Sequence, residues 1–303
     1  MSKALRLSVS PHIHSGRSTA GIMRDVLIAL APAAIAGILI FGARAFLVIA
    51  LTMASCIFFE FLFNAIVKKE QTVGDLSAAV TGLLLALNLP ANIPLWQCMV
   101  GSAFAIIVVK CLFGGIGFNL VNPAITARVF MLVAFTSMTV QAFPVDAVSS
   151  ATPLAGGSAT LTELVLGVYG GAIGETCSVA LLLGFAYLLV RRVISWHIPV
   201  SMVGTAFVMT LLLEKGDVMA ALTAVLSGGL LIGAIFMATD YVTSPSTAKG
   251  KLIFGLGAGV ITVLIRYFGV YPEGVSFAIL LMNILNPYID ALTAHKVFGR
   301  AKA

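Results

Sequence analysis

Apolar runs of about 18 or more residues recur along the whole chain, and they are continuous rather than alternating. That is the length a helix needs to cross a hydrocarbon core. In lipid the backbone must satisfy its own hydrogen bonds, which leaves helices or a closed barrel, and continuous runs select helices. Hydrophobic residues make up 60% of the 303 positions and charged residues 10%, with a mean hydropathy of +1.07. A soluble domain is about a quarter charged, so this chain could not cover its own surface in water. It is expected to be an all-α polytopic membrane protein.

The net charge of +6 does not point to nucleic acid. Lys and Arg stand singly at the ends of apolar runs, with no basic stripe interleaved with aromatics. No cleavable signal is expected, because the first run follows a polar N-terminus without a small-residue cleavage site. Cys56, Cys98, Cys111 and Cys177 lie one per segment without a C-x-x-C and read as small packing residues. His12, His14, His197 and His295 sit at segment ends, and no metal site is expected.

About ten spans are expected. In chain order they lie near 24–42, 44–67, 75–89, 95–113, 122–141, 173–190, 197–213, 218–238, 252–271 and 275–297. With the N-terminus inside, most basic residues, from Lys3 and Arg6 to Arg300 and Lys302, fall on the cytoplasmic side. Lys110 and Arg128 fall near cytoplasmic helix ends, and Arg44, Lys215 and Arg266 fall outside. Both termini are then cytoplasmic in the cell inner membrane and the 142–172 loop is external.

A repeat sharpens this map. NLVNPAI (119–125) recurs as NILNPYI (283–289), and GLLLAL (82–87) upstream of the first is echoed by GLLIGA (229–234) upstream of the second. Five spans per half is an odd number, so the copies cross in opposite directions, as in the inverted repeats of transporter-like folds. The expected organisation is a first five-helix repeat (1–141), an external loop (142–172) and a second repeat (173–303). The short third segment and the eighth, running into TDYVTSP (239–245), would be the paired broken elements.

Asn119 and Asn122 are three apart and share a helix face if the helix begins early. Asn122-Pro123 equally reads as a helix cap and first-turn proline. Together with Asn283 and Asn286 they could hold a polar uncharged group such as a flavin ring edge or a solute. Acidic residues within or beside spans are Asp25, Glu60, Asp75, Glu175, Asp240 and Asp290. An intramembrane carboxylate points to an ion pathway, and Glu60 is the best candidate, the alternative being a pair with Lys68 or Lys69. Asp240, in a polar turn-rich stretch, is a ligand candidate.

The external loop contains DAVSSATPLAGGS (146–158). Read blandly, it is a solvated loop of turn residues. Asp146 through Thr152 also resembles the flavinylation motif D-x-x-[ST]-G-A-T of proteins carrying covalent FMN, with Ser150 where that motif has Gly. Pro153 keeps the residue before it out of helix, leaving the acceptor hydroxyl presentable. GGIGFNLVNPA (114–124), the SSATP loop, FMATDYVTSP (236–245) and NILNPYID (283–290) occur in the order seen in the D subunits of Rnf-type electron-transport complexes. That family is related to the B subunit of the sodium-pumping NADH:quinone oxidoreductase, and the resemblance covers nearly the whole chain.

The resemblance implies a urea-transporter-like fold in a complex that couples electron transfer between ferredoxin and NAD to movement of Na+ or H+. FMN would be esterified to Thr152 by a flavin transferase, with Ser149, Ser150 and Ala151 beside it. A second flavin, riboflavin, would lie near Asn119 and Asn122, with Asp240 and Thr243 as weaker candidates. Partners would be the A and E membrane subunits, the G flavoprotein and the peripheral B and C iron–sulfur subunits. Ferredoxin and NAD sites would lie on those partners. The competing reading is a channel or carrier for a small polar solute, which has no use for the SSAT loop; a third is a scaffold without flavin.

Overall fold

The computed structural model describes residues 18–135, 138, 160–167, 169–269 and 274–294. Among these, every regular element is a helix. Helix α1 (Thr19–Phe41) starts where the Ser18 hydroxyl accepts from the Gly21 N–H at 3.1 Å. It ends at Gly42, whose φ of 73° turns the chain straight into α2 (Ala43–Val67). A 3₁₀ turn (Val73–Asp75) leads to α3 (Ser77–Leu87), which is buried on every side. Helix α4 (Leu95–Ala103) continues as a π-helix (Phe104–Cys111), and α5 (Pro123–Ala134) follows the glycine-rich loop.

After the short α6 (Leu161–Leu166) come α7 (Ser178–Val190) and α8 (His197–Leu213). Helix α9 (Val218–Leu226) breaks before α10 (Leu230–Ile232), which runs on as a π-helix (Gly233–Met237). Helices α11 (Ala248–Phe268) and α12 (Val275–Thr293) close the described chain. Each expected apolar segment therefore holds a helix, broken in one case. Four of them, α1, α2, α11 and α12, are long and apolar enough to cross a membrane; the bent α9–α10 pair makes up to five. The others are shorter apolar helices of 10–17 residues, apart from the short α6. Among the described residues the fold is all-helical, and the chain is a multi-pass membrane protein.

Close helix contacts rest on small residues. Helix α11 lies against α8 through Gly255 and Gly259, where a Cβ would stand 2.8 Å from the Ile198 carbonyl and 2.7 Å from that of Met202. Such spacing lets backbones approach without a side chain between them. Gly184 does the same for α7 on α1, where a Cβ would strike the Ala29 carbonyl. Large apolar side chains such as Leu39, Leu212 and Leu292 point outward, as a lipid-facing surface demands.

Broken helices inside a membrane protein must find partners for their terminal carbonyls. Helix α3 stops at Asn88, and the returning chain serves its end: Gly174 N–H donates to Leu87 O at 2.8 Å and Ile173 N–H to Leu89 O at 3.1 Å. At the α9–α10 break the axis turns by 64°, with Gly228 at φ 67°. The Leu226 carbonyl there accepts from the Tyr169 hydroxyl (3.3 Å) and the Ser178 hydroxyl (3.5 Å). Arg266 donates to the carbonyls of Ala224 and Ser227. Arg44 donates to the Ile93 carbonyl at 3.0 Å, in the turn ahead of α4.

Candidate functional site

The glycine-rich loop after the first π-helix is built on positive φ values, 123° at Gly114, 103° at Gly115 and 90° at Gly117, which only glycine adopts freely. It carries Ile116, Gly117 and Asn119 to the wall of a cavity of about 410 Å³. Pro123 fixes the first turn of α5, and Asn122 caps it: its side-chain oxygen accepts from the N–H groups of Ala124 (3.0 Å) and Ile125 (3.3 Å). Its amide nitrogen donates across to the Met237 carbonyl at 3.4 Å, where the second π-helix ends. From that end Thr239, Asp240, Tyr241 and Val242 supply the opposite wall.

Asn119, Asn122 and Asp240, singled out from the sequence, thus face one cavity. Helix α5 begins after Asn122, so Asn119 lies in the loop rather than one turn back on the same helix. The cap reading of Asn122 holds, and it coexists with a place on the cavity wall. The Asn119 side-chain oxygen is buried without a hydrogen-bond partner. Asp240 accepts from Val242 N–H (3.4 Å) and the Thr243 hydroxyl (3.3 Å). Enclosure by protein pushes its carboxyl above the usual carboxylate range, against the pull of those two bonds.

Thr243 stands behind the wall, holding Asp240. Asn283, with its amide turned to match donors to acceptors, donates to the Thr243 carbonyl (3.1 Å) and accepts from Asn122 N–H (3.2 Å). The two N-x-x-N-P motifs therefore meet, through Asn122 and Asn283. Asn286 is buried with its side-chain oxygen unpaired, away from the cavity lining.

Glu60 is buried in α2, but its partner is neither Lys68 nor Lys69. Lys110, on the π-helix after α4, donates to its Oε1 at 2.7 Å and to the Ser77 hydroxyl at 2.6 Å. The Thr72 hydroxyl donates to the same Oε1 at 2.7 Å, while Oε2 is buried without a partner. Lys110, Ser77 and Thr81 form part of the cavity wall, so this ion pair adjoins the site. Lys110 lies in the last turn of the π-helix, at a helix end as expected, and at 2% exposure it is inside the protein. A lone basic residue in an apolar run is the available signal.

The second buried ion pair joins Arg128 of α5 to Glu175 at 2.8 Å. Arg128 also donates to the side chains of Asn88 (2.8 Å) and Ser276 (3.2 Å). Gly229 lies against both members: a Cβ there would stand 2.8 Å from Glu175 Oε1 and 3.1 Å from Arg128. The pair sits where α3 ends and α10 begins, joining the two breaks, and Arg128 lies buried in the middle of α5 rather than near a helix end as expected. The remaining acidic candidates named from the sequence are engaged as well: Asp25 with Arg191 and Tyr187, Asp75 with Ser77, and Asp290 with Ser246. Thr152, Ser149, Ser150 and Ala151 lie outside the described residues.

Residues 6–299 match the family described as "NQR2, RnfD, RnfE family". The chain is 44% identical to the D subunit of the Na(+)-translocating ferredoxin:NAD(+) oxidoreductase complex of Acetobacterium woodii, covering 98% of this chain and 96% of the relative. It is 41% identical to the D subunit of the proton-translocating ferredoxin:NAD(+) oxidoreductase complex of Clostridium ljungdahlii, covering 97% and 96%. It is 34% identical to the D subunit of the ion-translocating oxidoreductase complex of Salmonella arizonae, covering 98% and 99%. The two helix breaks, the paired N-x-x-N-P motifs and a match along nearly the whole length converge: the chain belongs to the NQR2, RnfD, RnfE family.

Proposed function

We propose that this chain is the D-type membrane component of an ion-translocating ferredoxin:NAD oxidoreductase complex, relaying electrons through flavin while the complex moves Na+ or H+. Full-length similarity to proteins so named supports the assignment and favours it over a solute channel. The chain would carry FMN as a phosphoester on Thr152 and hold riboflavin without a covalent bond in the cavity. A bound flavin supplies one- and two-electron transfer. The other components of the complex would provide the ferredoxin and NAD sites.

The cavity is the observation that carries the second flavin. Its volume of about 410 Å³ falls in the range of small-molecule sites, about 300–1,000 Å³. Apolar walls (Ile22, Met23, Val26, Leu84, Phe236) suit the flat body of an isoalloxazine. Asn119, Asn122 and Asp240 suit its polar edge. Asn119's orphaned oxygen is an acceptor awaiting a donor, which a ring N–H would supply. Asn122, tied by its cap to α5 and by its amide to the end of the second π-helix, holds the two walls at a fixed separation.

In this reading the ten helical segments form two inverted repeats of five, with both termini cytoplasmic in the inner membrane and the Thr152 loop outside. Glu60 would take part in the ion path, its unpaired Oε2 being open to a cation or proton. The test is direct. Denatured wild-type chain should give a fluorescent flavin band that Thr152→Ala abolishes, while acid extraction should release riboflavin from both. Absence of both flavins would leave the solute-channel or scaffold reading.

A further inference from the structure

Lys110 is the one basic side chain on the described wall of the cavity. Its ammonium carries three N–H donors, and two are spent, on Glu60 and Ser77. The third has no partner among the described residues, although the side chain is 2% exposed. On its far side, Glu60 presents a charge of opposite sign with one oxygen unsatisfied. The pair is therefore a dipole with its positive end at the cavity and its negative end behind.

We propose that Lys110 is the residue that sets the reduction potential of the group held in this cavity, with Glu60 opposing it from behind. An electron arriving in the cavity adds one negative charge to a site enclosed by low-dielectric protein. There a unit charge acts far more strongly than in water, because solvent cannot screen it. Lys110 lowers the cost of that added charge and Glu60 raises it. No bond in the chain forms or breaks and no proton need move; the electron comes from a low-potential one-electron carrier of the complex. The π-helix has a part in this: it sets Lys110 where it reaches both the cavity and α2.

This inference rests on flavin occupying the cavity, so the experiment separates the two claims. Full-length chain in the Thr152→Ala background, purified in detergent with riboflavin, is titrated with dithionite while flavin absorbance is followed against a reference dye. Extracted flavin is counted in parallel. Glu60→Gln should raise the potential and Lys110→Met should lower it, each by about tenfold in the oxidised-to-reduced ratio, about 59 mV for a one-electron step. The double variant, which buries neither charge and so guards against misfolding of Lys110→Met, should fall between them. Opposite signs are the signature, since general loosening of the site would move both single variants alike. Bound flavin with the same potential in all forms, or shifts of one sign, overturns the role of Lys110. No bound riboflavin in the parent protein overturns the cavity reading itself, and the proposal with it.

Discussion

Replacing one member of the Arg128–Glu175 pair should cost far more than replacing both. The two side chains are 6% and 1% exposed, and their closest atoms are 2.8 Å apart. Arg128→Met leaves the Glu175 carboxylate buried against Gly229 and deprives Asn88 and Ser276 of a donor. Breaking a buried pair from one side costs about 3–5 kcal/mol, because the remaining charge keeps its desolvation penalty without its partner. Glu175→Gln removes the guanidinium's counter-charge, and its bonds to Asn88 and Ser276 soften the loss toward the lower end of that range. The double variant removes both charges and should fall short of the sum of the single costs by about 2–3 kcal/mol. Unfolding by SDS titration in mixed micelles measures all four forms on one scale. Single costs that simply add, within about 0.5 kcal/mol, would refute the idea that this pair joins the two helix breaks as a coupled unit.

Asp240 predicts a pH dependence. Its carboxyl holds its proton to higher pH in the folded chain than the unfolded value of about 3.9. In that window the unfolded state binds fewer protons, so stability falls as pH rises and levels off above the raised value. Asp240→Asn should flatten the slope of melting temperature against pH; an unchanged slope assigns it to another group. At the α8–α11 contact, Gly259→Leu should destabilise by about 1–3 kcal/mol or more, since its Cβ alone meets the Met202 carbonyl at 2.7 Å. The same substitution at Gly204, where a Cβ meets nothing within 4 Å, is the control and should be nearly silent in the same SDS titration.

The helices are legible because hydropathy and length are local properties. Boundaries drift where a charge is taken as an end: α1 begins at Thr19 rather than at Arg24, because Ser18 caps it and Asp25 is buried within the helix. Asn122-Pro123 is readable as a helix start, since a cap and a first-turn proline act within one turn. The convergence of Asn119, Asn122 and Asp240 comes from a resemblance, and the cavity gives it a geometry. The partners of Lys110 and Arg128 are not legible in hydropathy, which reports the average of a window. Glu60 lies 50 residues from Lys110, and Arg128 lies 47 from Glu175. Only tertiary packing brings such charges together, so nearby Lys68 and Lys69 look the more natural partners.

The arginines that close the helix breaks bear on how the nascent chain finds its orientation. Arg44 and Arg266 both count against the expected placement of positive charge, yet both spend their guanidinium groups on backbone carbonyls, at Ile93 and at Ala224 and Ser227. They are mortar for interrupted helices rather than address labels. Setting them aside leaves Lys215 as the single dissenting charge among the described residues, and the inward bias of the rest becomes sharper. In the proposed orientation, Arg44 must reach the far side of the membrane before Ile93, 49 residues later, is in place to receive it, whereas Ala224 and Ser227 precede Arg266 in the chain. An insertion reporter fused after residue 44 should therefore be indifferent to Arg44→Gln, even where the finished protein is not.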